Sequence, residues 1–150
     1  MHGRSNMSEK IELPPPSESS LLRVAQSCCQ ATKVLTAVPD GSTLIALAMV
    51  ISQGIEATLK CHLLQSGKSL EFCKRIGHDL MRAWSAAAEE GSPIEGSPPD
   101  WLRTLQWGHA KPHAFRYLPD MYGVGVPRAD EFVPWWNDVL KELYRRSERL

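Results

Sequence analysis

GIEATLKCHLLQSG (54–67) and IGHDLMRAWSAAAEEG (76–91) are two helical patterns joined by a short basic connector. In the first, Ile55, Thr58, Leu59 and His62 recur at spacings of three and four, which puts them on one helical face with Ile51 before them. Glu56 and Lys60 lie at its edge, four apart and in the favourable acid-before-base order, as a helix-edge ion pair would. Gly67 is a natural C-terminal cap. In the second, Leu80, Ala83, Trp84 and Ala87 form the inward face. Asp79 suits the helix dipole in the first turn, with His78 or Gly77 as the cap. Lys68, Lys74 and Arg75 make the connector basic against Glu71.

Working outward, the first pattern extends back to Ser42 through TLIALAMVIS, apolar all round, which predicts a central buried helix over 42–66. Before it, Leu21, Val24, Ala25, Cys28, Thr32 and Leu35 predict a helix over 19–38, stopped by Pro39-Asp40-Gly41. Residues 1–17, ending in three prolines, read as a disordered tail, leaving 18–150 as a single domain. Beyond Gly91, Ser97-Pro98-Pro99-Asp100 has the form of a helix start, with Ser97 as cap and Pro98 at the first helical position. That helix spans 98–107, carries Trp101, Leu102 and Leu105 inward, exposes Trp107 and ends at Gly108. The segment 111–127 holds three prolines and two glycines and reads as a long loop, packed by Phe115, Tyr117 and Tyr122. A last helix over 130–149 carries Phe132, Trp135, Trp136, Val139, Leu140 and Leu143 on one stripe. With no strand pattern, the fold class is all-α: an up-down bundle of about five helices.

The chain has 17 basic and 17 acidic residues and formal net charge zero, so any electrostatic site must be local and a general nucleic-acid coat is excluded. The longest uncharged apolar run, 43–52, is about half of what a bilayer needs. No secretory core leads the sequence, so no membrane partner is expected and a cytoplasmic location is. Cys28, Cys29, Cys61 and Cys73 lack C-x-x-C spacing, and a disulfide framework is not expected. A zinc reading that joins Cys61, His62, Cys73 and His78 matches no usual structural spacing, so neither a metal site nor a cofactor is expected.

At GIEATLKCHLLQSG followed by GHDL, the chain resembles the HEPN superfamily of small prokaryotic helical bundles. The matching positions are Glu56, Lys60, Leu63 or Leu64, Gly67 and His78-Asp79-Leu80. Phe115-Arg116-Tyr117-Leu118-Pro119 resembles the aromatic Arg-Tyr segment before the last helix of such proteins. The resemblance implies a bundle that forms a homodimer and works around RNA. Its implied roles are a metal-independent endoribonuclease, a toxin paired with a nucleotidyltransferase-type antitoxin, or a non-catalytic binding module. Catalytic members carry Arg, four to six residues, then His, which Arg103 and His109 match formally. One would supply the cation and the other the base for attack by a ribose 2′-OH. His113 and Arg116 offer the same chemistry. On one helix a six-residue step turns about 240°, so Arg103 and His109 share a face only if the helix breaks at Gly108, or if they assemble across a dimer.

A second candidate site is a polar pocket of Glu56, Lys60, His78 and Arg116, with Asp79 and Tyr117 beside it, suited to phosphate or a nucleotide. A non-enzymatic dimerisation module and a phosphate-ligand sensor are the alternative functions. His62, on an apolar face, reads as a satisfied core histidine.

Overall fold

The structure, a computed structural model, describes residues 15–110 and 125–149. Six helices lie among them: α1 (Glu18–Thr36), α2 (Leu44–Gln65), α3 (Leu70–Ile76), α4 (Leu80–Glu89), α5 (Asp100–His109) and α6 (Ala129–Ser147). No strand occurs among the described residues, and the all-α bundle expected from the sequence is present. Most of the expected tail and of the loop at 111–127, with Phe115, Tyr117 and Tyr122, lies outside the described residues. Ser17, placed in the tail by sequence, caps α1 in a reciprocal box with Ser20.

Helix α2 is the hub and touches all five other helices. The expected inward face Ile51, Ile55, Thr58, Leu59 and His62 is buried, but the first half is covered on one side only, at Leu47, Ala48, Ile51 and Ser52. Leu44, Ile45 and Met49 in the apolar first half are exposed, whereas from Gly54 to Leu63 every residue except Lys60 is buried. The reason is position: the other helices converge on the second half. Its length and hydropathy would suit a membrane span, but 61% of that window is buried inside the bundle. Gly54 permits the closest approach. A Cβ there would lie 2.5 Å from Cys28 Cβ and 2.6 Å from the Trp136 ring, so α1, α2 and α6 meet at a point only glycine allows. Beside it, Trp136 Nε1 donates to Thr58 Oγ1 at 2.8 Å, and that hydroxyl donates to the Gly54 carbonyl at 2.8 Å.

The sequence placed a connector at 68–76, where the structure has α3. Ser69 caps it, accepting from Phe72 N at 3.1 Å, and Gly77 ends it at φ 62°. A Schellman turn closes α2 first: Lys68 N donates to Leu63 O and Gly67 N to Leu64 O, with Gly67 at φ 92°. Helix α3 carries the chain back along α2. As a result α4 starts level with Glu56 and runs parallel to α2, as the pairings His78–Glu56 and His62–Gly91 require. Simple alternation of direction is broken there, and this return is what builds the site.

Two other differences have local causes. Helix α5 starts at Asp100 rather than Pro98, because Pro99 disfavours helical backbone at Pro98 and is itself extended (ψ 156°). The buried stripe of α1 is Leu22, Ala25, Cys29 and Thr32, one step round from the predicted face; Leu-Leu and Cys-Cys pairs make the two registers equally apolar in sequence. In α4 and α6 the predicted inward residues Leu80, Ala83, Trp84, Ala87, Phe132, Trp136, Val139, Leu140 and Leu143 are buried, and Trp135 of the same stripe is half-buried. Trp84, Trp101, Trp135 and Phe132 stack into one aromatic cluster, with centroids 5.0–6.0 Å apart.

His62 is the satisfied core histidine the sequence indicated. Its Nε2–H donates to Ala87 O at 3.2 Å and Gly91 O at 3.0 Å, and Nδ1 faces Arg146 Nη1 at 3.5 Å. Burial first, and then the Arg146 charge, push its pKa below the ordinary value.

Candidate functional site

Glu56 is the centre of the site. It sits in the buried half of α2, its side chain only 7% exposed, and not at a helix edge. Such a carboxylate needs partners. Oε1 accepts from His78 Nδ1 at 2.8 Å and from His109 Nε2 at 3.1 Å. Oε2 lies 3.6 Å from Lys60 Nζ, one turn on. Burial by itself would push the Glu56 carboxyl up. The His109 hydrogen bond, the Lys60 charge and the His78 hydrogen bond together outweigh it and hold the group below the usual carboxylate range.

Each partner is positioned by a short local device. Lys60 donates to the Gly77 carbonyl at 2.8 Å, which braces the turn that delivers His78. Asp79 is the N-cap of α4, accepting from Arg82 N at 3.0 Å, where the sequence had offered His78 or Gly77 as cap. Gln106, on the last turns of α5, accepts from Leu80 N at 2.7 Å and donates to Asp79 Oδ1 at 3.0 Å. It thereby locks α5 to the start of α4. His109 follows three residues later on the same face, and so reaches Glu56.

Glu56, Lys60 and His78 therefore converge as one polar cluster, with Asp79 capping the helix beside it. Arg116 and Tyr117, assigned to the same pocket by sequence, and His113 lie outside the described residues. Arg103 and His109 do not share a face. Helix α5 runs through Gly108 to His109 without the break their pairing on one chain requires. Arg103, with its side chain 71% exposed, lies 3.9 Å from Asp100, whereas the His109 side chain is only 10% exposed and turned onto Glu56. Cys61, His62, Cys73 and His78 form no cluster: Cys61 faces the Glu18 carbonyl, and His62 the end of α4.

A cleft of about 610 Å³ opens beside the cluster, lined by Arg75, His78, Asp79, Arg82, Gln106 and Trp107 among others. Arg75 and Arg82 are exposed, and neither is in an ion pair among the described residues. Trp107 is 48% exposed, as the sequence indicated. His78 joins the two regions, since its half-exposed ring is a wall of the cleft and its Nδ1 touches Glu56. A smaller groove of about 310 Å³ lies between α1 and α6, near Cys29. Burial pushes that thiol up, which leaves it protonated and unreactive, so the chemistry favours the first cleft.

No protein-family model matches the chain, and no curated protein or solved structure matches it.

The sequence named Glu56, Lys60, His78 and Asp79 but linked His109 to Arg103 rather than to Glu56. It did not single out Gln106 or Arg82, and it named Arg75 only as part of the basic connector. Residues 56, 78 and 109 lie 22 and 31 positions apart on three elements, and no local spacing encodes their meeting. A partial signal was the basic connector, which becomes one wall of the cleft.

Proposed function

We propose that this chain is an RNA-associated, HEPN-like cytoplasmic module that holds single-stranded RNA in the cleft between the α3–α4 turn and α5. The observation that carries the reading is the juxtaposition of two exposed guanidinium groups, Arg75 and Arg82, with the exposed Trp107 ring along one cleft. Cations that track phosphates beside an aromatic ring that stacks on a base are the usual means of binding single strands without base pairing. The zero net charge fits a local contact of this kind. His78, oriented by Glu56, places an imidazole at the cleft wall for acid–base work on a phosphodiester, the reaction type the HEPN resemblance implies.

Fluorescence anisotropy with a labelled RNA of about ten nucleotides tests the reading. Arg75→Ala and Arg82→Ala should each weaken binding several-fold and reduce the salt slope by about one. Binding that survives the double variant, or that is lost in Arg103→Ala instead, would move the site elsewhere. Equal affinity for inorganic phosphate would favour a small-ligand sensor. The same RNA incubated with EDTA reads metal-independent cleavage directly.

A protein-interaction module is the second reading, and a different face favours it. Val34, Leu44 and Ile45 are 61%, 42% and 45% exposed, apolar area suited to a second copy of the chain. Sedimentation of wild type against Ile45→Asp tests homodimer formation through this face. An unchanged sedimentation coefficient would remove it.

A further inference from the structure

We infer that Glu56, His78 and His109 form a binding site for one divalent transition-metal ion, of which zinc is the natural probe. Glu56 Oε1, His78 Nδ1 and His109 Nε2 all lie within 4.8 Å of one another. Two of the three separations are 2.8 and 3.1 Å. Zinc bound at about 2.0–2.1 Å in a tetrahedron needs its donors about 3.3–3.5 Å apart, so those two pairs have to open by about half an ångström. The rings meet edge to face at 78°, with centroids 5.5 Å apart, which lets both nitrogens point at one place without stacking.

The chemistry of the donors fits. Two imidazoles and one carboxylate are the set that zinc and its first-row neighbours take, whereas magnesium and calcium prefer oxygen alone. Three protein ligands leave a fourth position for water or substrate, as in metal sites that carry out chemistry rather than hold a fold together. Lys60 beside Oε2 keeps Glu56 ligating through Oε1 alone. No other group of three or more His, Cys, Asp or Glu side chains among the described residues has this geometry.

The inference stands on the three donors and not on RNA binding, and its test uses no RNA. The purified chain is stripped with EDTA and titrated with zinc by calorimetry, then with cobalt(II) by visible absorption. The expected result is one ion per chain with micromolar or tighter affinity, and intense cobalt bands of a four-coordinate nitrogen–oxygen site. Zinc should also raise Tm by several degrees. His78→Ala should weaken binding at least tenfold; its half-exposed ring makes this a variant that folds. Glu56→Gln, checked for fold by circular dichroism, should do the same, and Cys28→Ser should not. No saturable binding up to 100-fold excess zinc would overturn the site, as would undiminished binding in folded His78→Ala.

Discussion

At the scale of single residues, the fold holds several polar groups that are buried and paired, and each makes a defined prediction. Trp136 depends on Thr58 for the partner of its indole N–H. Thr58→Val keeps the volume and orphans that donor, which should cost about 1–3 kcal/mol in chemical denaturation. A cost near zero would mean the indole finds another acceptor. His62 is held neutral, its pKa lowered by burial and by Arg146. For a histidine with a depressed folded pKa, stability is complete above the unfolded value of about 6.5 and declines as pH falls below it, because only the unfolded chain takes up the proton. Thermal melts between pH 6.5 and 5 should therefore slope less steeply in His62→Gln than in wild type. Glu56 adds a second acid limb. Its lowered pKa supplies stability that is fully present above about 4.3 and is lost as pH falls through the folded value.

At the scale of elements, α2 and the α3 return decide the architecture. Gly54→Ala drives a methyl into Cys28 and Trp136 and should lower stability by about 1–3 kcal/mol, despite alanine's better helix propensity. A stabilised variant would show that the three helices can separate at no cost. Gln106→Ala removes the lock between α5 and α4, and should cost about 1–2 kcal/mol while loosening His109 from Glu56. Amide exchange that speeds up locally at Leu80 and in the last turn of α5 would report it. Periodicity was enough to read the inward faces of α4 and α6, because amphipathic stripes such as Phe132 to Leu143 admit one packing, and to place α1 but not its register. It missed α3, whose seven residues are too short for a periodic signal. It also expected the first half of α2 to be buried all round, whereas Leu44, Ile45 and Met49 are exposed, since an apolar run says what a helix can bury and not where its neighbours stand.

At the scale of the whole molecule, function depends on what the topology brings together. The stretch 54–91 supplied three of the four polar side chains of the cluster, Glu56, Lys60 and His78. The fourth, His109, arrives only because α3 returns the chain to the level of Glu56 and α5 docks on α4 through Gln106. That is a tertiary event that sequence spacing does not record. The cleft follows from the same arrangement, with Arg75 from α3, Arg82 from α4 and Trp107 from α5 on its walls. A nitrogen–proton correlation NMR titration with a short single-stranded RNA addresses all of this at once. RNA bound in the cleft shifts the signals of Gly77, His78, Asp79, Arg82 and the Trp107 indole, and leaves those of Leu44 to Met49 unmoved. Shifts confined to the exposed face of Leu44, Ile45 and Met49, or no shifts at millimolar RNA, would contradict the cleft as the site of function.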